Sequence, residues 1–219
     1  LEQIENKENL SRKDKAHYYL LLTEAQDKTF VKHETDSLIT IATDYYEETD
    51  DLERKAKAWF YKGRINQNLN HPLKAQECFL NALQNEEQIE DHALLGRINN
   101  GIGMLYTQQD VYERALPYQQ KAVMHFKAIA DSIGQVYALR DLGRIYKILH
   151  QKDSAIACYS KTLDLMESRK VLSVYSELSS LYIETKTYPE AECLLREVMA
   201  NKQALGNNIY PFYLTLGKY

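Results

Sequence analysis

The sequence predicts an all-α protein, a solenoid of antiparallel helix pairs, and three observations carry that expectation. Only 8 Gly and 4 Pro occur in 219 residues, with Leu, Ala, Glu, Lys and Gln throughout, a balance that favours long helices and short turns over sheets. Apolar residues recur at helical spacing, as in Leu139, Leu142, Ile145, Tyr146 and Leu149. The third observation is an internal repeat. With Gly143 as origin, Leu142 stands at −1, Tyr146 at +3, Ala155 at +12 and Tyr159 at +16. Forty residues earlier Gly103 keeps company with Ile102, Tyr106, Ala115, Gln119 and Ala122, and forty before that Gly63 does so with Trp59, Ala75, Phe79 and Ala82. The measure returns at Ser179 with Leu178, Tyr182, Ala191 and Leu195, at Gly217 with Leu216, and more weakly at Ala25 with Ser37 and Ile41. A period of 36 to 40 residues is the signature of stacked supersecondary units.

The elements follow in order. Ser11 with Asp14 reads as a capping box opening a helix over 12–30, which pairs with 34–48 as a degenerate first unit, 12–48. The acidic run "EETDDLE" at 47–53 reads as a turn whose carboxylates cap the next helix. Helices 51–69 and 72–88 make the second unit (51–88), 91–109 and 112–129 the third (91–129), 132–149 and 152–168 the fourth (132–168), and 171–185 and 188–204 the fifth (171–204). A helix over 208–219 opens a truncated sixth unit, and residues 1–9 read as the tail of a preceding element, so the sequence is expected to be a piece of something longer. A mid-helix Gly costs about 1 kcal/mol relative to Ala. Gly63, Gly103 and Gly143 are therefore expected where backbones come closest, against Ala75, Ala115 and Ala155 of the second helices, with axes about 8–10 Å apart. Most of the 17 tyrosines, Tyr106, Tyr146 and Tyr182 among them, are expected to fill the core.

Little here points to chemistry. "NGIGML" lacks the third Gly and the preceding strand of a dinucleotide loop. The six histidines fall in different units without HExxH spacing, and Cys78, Cys158 and Cys193 form no CxxC pair. All three cysteines are expected to be buried and unpaired, with no disulfide framework, no metal and no cofactor. A net charge of −4 gives no general attraction to nucleic acid or an anionic membrane. No apolar run reaches the roughly 18 residues of a membrane span. The chain opens on Leu1 and not on Met, so its location in the cell is not legible from these residues.

These residues resemble the tetratricopeptide repeat (TPR). "WFYKGRIN" with "KAQECFLNAL", "NGIGMLYTQQDVYERALPYQQKAV", "LRDLGRIYKILHQKDSAIACYSKTL" and "YSELSSLYIETKTYPEAECLL" are similar to that family's motif in four successive units over residues 56–200. The motif places a large apolar residue, Leu-Gly and Tyr on a first helix, then Ala, an aromatic and Ala on a second. The resemblance implies a right-handed superhelix that binds proteins or peptides and has no enzyme activity. Asn66 departs from the usual Tyr, Gln119 from the aromatic and Thr162 from the second Ala. The period exceeds the family's usual length of about 34 residues, which is expected to come from lengthened second helices. "LSRKDKAHYYLLLTEAQDK" with "DSLITIATDYY" also resembles the degenerate first unit of TPR regions in bacterial membrane-anchored regulators. That likeness implies a periplasmic, envelope-facing sensing or dimerising domain of a signalling or transcription regulator, as a homodimer; the alternative is a cytoplasmic scaffold for complex assembly without signalling output.

One surface departs from its background. Offsets −6, −3, +1, +4 and +5 from each Gly form an arc separate from the packing stripe, on the side that lines the concave groove in TPR proteins. For the units at Gly63, Gly103 and Gly143 these fifteen positions include Lys57, Phe60, Arg64, Arg97, Asn100, Met104, Gln108, Tyr137, Arg140, Arg144 and Lys147, the candidate peptide-binding residues. Six of the fifteen are basic and none acidic, where 27 basic and 31 acidic residues in 219 predict about two of each. Two readings stay open. The cations pair with acids on adjacent second helices, or they hold an acidic extended segment, with Arg clasping carboxylates and Asn100 and Gln108 bonding peptide groups. The family's clamp for acidic chaperone C-termini is not matched, since its positions hold Phe60, Arg64, Gly101, Tyr137 and Asp141.

Overall fold

A computed structural model describes residues 10–165 and 172–200. Among them are ten α-helices and no strand: α1 (Arg12–Lys28), α2 (Ser37–Tyr46), α3 (Leu52–Asn68), α4 (Pro72–Ala82), α5 (His92–Gln108), α6 (Tyr112–Ala128), α7 (Ser132–Ile148), α8 (Lys152–Leu165), α9 (Leu172–Glu184) and α10 (Tyr188–Ala200). The protein is all-α, built from stacked helix pairs in the manner of an α-solenoid. The expected tail at 1–9 and helix at 208–219 lie outside the described residues. The chain divides into two compact units, Leu1–Gln109 and Asp110–Tyr219.

In the first unit, capping side chains set where helices begin. Ser11 Oγ accepts from the Asp14 N–H at 3.1 Å, Asp51 from Arg54 at 3.1 Å, and Asp91 from Leu94 at 2.8 Å, each satisfying a donor that the helix leaves open. The acidic run at 47–53 is spent locally: Asp51 caps α3, Glu48 meets Arg12 at 2.6 Å, and Glu47 accepts from Lys55 at 2.6 Å and from the Trp59 indole. Helices α1 and α2, α3 and α4 pack as pairs, α2 lies on α3, α4 on α5, and α1 also touches α3. Asn66, in the slot where the repeat usually has Tyr, donates to Asp36 at 2.9 Å and so ties α3 to the start of α2.

Two boundaries differ from expectation for identifiable reasons. Helix α2 begins at Ser37 instead of 34, because the Thr35 hydroxyl takes the Ser37 N–H at 3.1 Å and Asp36 is engaged with Asn66. Helix α4 ends at Ala82, not 88, and a 3₁₀ turn at Glu86–Gln88 follows. Residues 84–88 are all polar, so continuing the helix there would bury nothing. The long period of the second repeat thus comes from a turn and link and not from a lengthened helix; the 17-residue α6 is a long second helix.

In the second unit, α6 packs on α7, α7 on α8, α8 on α9 and α9 on α10. Val136, Ala155, Tyr159, Val174, Leu178, Leu181 and Leu194 form one core, with Tyr146 and Tyr182 half-buried at its margin. Gln119, fully buried in an aromatic slot, donates to the Ala138 carbonyl at 3.2 Å, and Thr162 donates to the Cys158 carbonyl at 2.9 Å. Polar departures from the motif are hydrogen-bonded in place.

The glycines correct one detail of the sequence reading. A Cβ on Gly63 would fall 2.5 Å from Phe79 Cε1, and one on Gly143 would fall 2.7 Å from Tyr159 Cε1. At these two positions the missing side chain seats an aromatic ring from the second helix, four residues beyond the conserved-spacing Ala75 or Ala155. Both rings are fully buried, and each contributes about 1.5–3 kcal/mol or more through that burial. The cysteines bring a second correction. Cys78 and Cys158 are buried free thiols as expected, but Cys193, on α10, is exposed.

Candidate functional site

The candidate face of the first unit lies where α1, α3 and α5 run side by side. Lys57 Nζ meets Glu24 of α1 at 2.6 Å, and Arg64 reaches Asp27 of α1 at 3.2 Å. On the other flank the Arg97 guanidinium of α5 lies over the Phe60 ring of α3, 5.4 Å from its centroid. The partners of these cations are therefore acids on a neighbouring first helix, not on second helices. Desolvation by itself would raise the Glu24 pKa, but hydrogen bonds from Lys28 and Lys57 outweigh it and hold the carboxyl below its ordinary value. Phe60 does not fit its expected role: it is 3% exposed and packed between Phe79 and Arg97, so it offers no free face to a ligand. Asn100 donates to Met104 Sδ at 3.5 Å, while Met104 and Gln108 are exposed.

Tyr61 is a member of this face that the sequence reading missed. Its side chain is 1% exposed, and its buried hydroxyl lies beside the Arg97 guanidinium with Glu24 and Asp27 nearby. Burial, aided by Glu24 and opposed by Arg97, pushes the phenol up to about 12. No sequence signal marks it, because Tyr61 falls on the packing side of α3 and only its hydroxyl extends toward polar groups.

In the second unit the candidates come from α7. Tyr137 is half-exposed and carries the Arg140 guanidinium 5.2 Å from its ring centroid. Arg140 is held by its chain neighbour Asp141 at 2.8 Å, and Lys147 is paired with Glu177 of α9. Arg144 is exposed. Of the six basic candidates, Arg97 and Arg144 have no carboxylate at ion-pair distance among the described residues; the other four do. The pairing acids escaped the sequence reading because Glu24, Asp27, Asp141 and Glu177 sit at offsets outside the arc from which the candidates were drawn.

A separate cleft of about 390 Å³ in the first unit is lined by Lys13, His17, Tyr45, Tyr46, Thr49 and Arg54 among others, with Arg54 already paired to Asp51. Among the described residues no group of His, Cys, Asp and Glu could hold a metal ion, and no helix is long and apolar enough to cross a membrane.

Comparisons with known proteins agree with this architecture. No curated protein sequence matches the chain. Its fold is similar to that of BtubC (BKLC) from P. vanneervenii, with a TM-score of 0.69 and 16% identity over 87% of this chain and 81% of that one. It is also similar to PilF of Pseudomonas aeruginosa, with a TM-score of 0.66 and 17% identity over 91% and 81% of the two chains. A third likeness is to a signal transduction ATPase with numerous domains, carrying a tetratricopeptide repeat sensor, from Pyrococcus horikoshii; the TM-score is 0.74 and identity 18%, over 96% of this chain but 33% of that one. Such repeat folds are scaffolds for protein–protein contact. Residues 94–168 match the family model of the tetratricopeptide repeat.

Proposed function

We propose that this chain is a non-enzymatic protein-interaction domain whose first-helix faces hold an extended acidic segment of a partner, and that it serves as the sensing or dimerising region of a bacterial signalling or transcription regulator. The observation that carries the binding reading is the uneven pairing of the inner cations. Lys57, Arg64, Arg140 and Lys147 each meet a carboxylate of the same unit, whereas Arg97 and Arg144 meet none among the described residues. An acidic partner would supply what they lack, in two-pronged fashion, and the exposed Gln108 amide can bond its peptide groups. Support for sensing comes from the Pyrococcus horikoshii ATPase, in which repeats of this fold are the sensor. On this reading the domain faces the cell envelope as part of a membrane-anchored protein.

Binding is tested with fluorescein-labelled acetyl-hexaglutamate amide, followed by anisotropy at low salt. The wild type should bind, more weakly as salt rises, because partly exposed charges are screened over a Debye length of about 8–10 Å near physiological ionic strength. Arg97→Glu and the pair Arg140→Glu with Arg144→Glu should each weaken it without loss of helicity. A wild type that binds no acidic peptide at low salt would sink the reading. The signalling half is tested by reading the gene past Tyr219: an apolar span of roughly 20 residues followed by an output module supports a regulator, and a gene with neither points to an assembly scaffold.

A further inference from the structure

We propose that the cleft between the start of α1, the last turn of α2 and the first turn of α3 is a binding site for a small aromatic monocarboxylate, a function separate from that of the first-helix faces. Its volume of about 390 Å³ lies within the range of small-ligand pockets. Three donors line it without an acceptor. Lys13 and His17, one turn apart on α1, are exposed and make no hydrogen bond or ion pair among the described residues. Tyr46 lines the cleft with a side chain only 4% exposed, and its hydroxyl has no hydrogen-bond partner among the described residues. The phenol oxygens of Tyr61 and Tyr159 are sealed from solvent, whereas that of Tyr46 is not.

The other polar groups of the cleft are engaged within the protein. Asp51 accepts the Arg54 N–H at 3.1 Å and pairs with the Arg54 guanidinium. Asp14 takes the Ser11 hydroxyl at 2.6 Å in the first turn of α1, where the helix dipole favours a negative charge. Thr49 gives its hydroxyl to the Tyr46 carbonyl at 3.0 Å. Lys13 is thus the permanently charged cation of the lining without a carboxylate among the described residues, and it asks for a single negative charge. A carboxylate meets the donor set, because its lone pairs can accept from the Lys13 ammonium, the His17 imidazole N–H and the Tyr46 hydroxyl together. The rings set the body of the ligand. Tyr45, half-buried, is met edge-on by Tyr46 with centroids 5.3 Å apart. The Arg12 guanidinium, clasped by Glu48 through both terminal nitrogens at 2.6 Å, lies 5.8 Å from the Tyr45 centroid. These contacts hold the ring as an apolar wall, against which a flat aromatic body packs with little entropy lost.

The experiment is isothermal titration of the whole chain with sodium 2-naphthoate near neutral pH. The acid should bind about tenfold or more tightly than 2-naphthamide, which keeps the rings and lacks the charge, and than acetate, which keeps the charge and lacks the rings. Lys13→Gln and Tyr46→Phe should each weaken 2-naphthoate about fivefold or more, with the thermal midpoint unchanged because neither polar group has a protein partner to lose. Lys13 is exposed, so Lys13→Gln decides the matter should Tyr46→Phe disturb α2. Acetyl-hexaglutamate amide in excess should leave the bound acid in place, which keeps this result distinct from the acidic-segment reading. No binding of 2-naphthoate, equal binding of the amide, or wild-type affinity in either variant while folded overturns the site. Displacement by hexaglutamate would put the acid on the basic first-helix faces, overturning the cleft site while the acidic-segment reading stands.

Discussion

The ring of Tyr159 on α8 occupies the space that a side chain at Gly143 on α7 would need: a Cβ there would stand 2.7 Å from Tyr159 Cε1. Gly63 and Phe79 repeat the arrangement in the first unit at 2.5 Å. The pairing explains why helices of otherwise good helix formers tolerate glycine in mid-course. Close approach of the two helices requires one residue to give up its volume, and the larger partner then fills it at the close packing of a protein interior.

Gly143→Ala should therefore destabilise the protein although alanine is the better helix former by about 1 kcal/mol. Tyr159 is 1% exposed and has nowhere to go, so overpacking should outweigh that gain and leave a net loss of about 1–3 kcal/mol. The urea midpoint should fall in Gly143→Ala, and Gly143→Ala with Tyr159→Leu should cost less than the two changes summed. An unchanged midpoint in the single variant would show that the ring yields freely.

The three thiols should divide into one fast and two slow. Burial pushes Cys78 and Cys158 up to about 11, so at pH 8 they are both shielded and protonated, whereas Cys193 is exposed. A thiol reagent should label one cysteine rapidly in the native state and three after denaturation. Rapid labelling of Cys78 or Cys158 in the folded protein would contradict the burial of α4 or α8.

Raising the pH should destabilise the fold above the ordinary thiol range. The folded state keeps protons on Cys78 and Cys158 up to about pH 11, whereas the unfolded chain releases them near 9.0, so the folded state binds more protons between those values. Stability from this source is complete below pH 9 and is lost as pH rises toward 11, with a slope of at most about 1.4 kcal/mol per pH unit for each thiol. Urea midpoints measured from pH 8 to 11 should fall more steeply in the wild type than in Cys78→Ala with Cys158→Ala. Parallel curves would show that the thiols contribute nothing to the pH dependence.

Ala130 offers a stabilising change. It closes α6 in the left-handed region, with φ of 53°, while the next residue, Asp131, donates its N–H back to the Phe126 carbonyl at 3.0 Å. That closure ordinarily favours glycine, because an L-residue there brings its Cβ against the backbone at about 1–2 kcal/mol. Ala130→Gly should raise stability by about 1 kcal/mol after the entropy of the unfolded glycine is subtracted. A lower thermal midpoint would mean that the Ala130 methyl is a packing group.

The sequence by itself determined the helical class, the repeat and nearly all helix starts, since these rest on near-neighbour chemistry: spacing of apolar residues, caps such as Ser11 and Asp51, and polar runs such as 84–88 that bury nothing. It also marked six basic positions on the first helices. Which of those cations keep their charge available was decided only in tertiary structure. Glu24 lies 33 residues before Lys57 and Glu177 lies 30 after Lys147, and stacking of helices from different repeats brings each pair together. The same holds for Phe60, assigned to the groove by its helical offset and taken into the core by Phe79 and Arg97, and for Tyr61, assigned to the core while its hydroxyl reaches a polar seam. A helical offset specifies the direction of a Cβ, but the reach of a long side chain past its neighbours depends on what the adjacent helices place there.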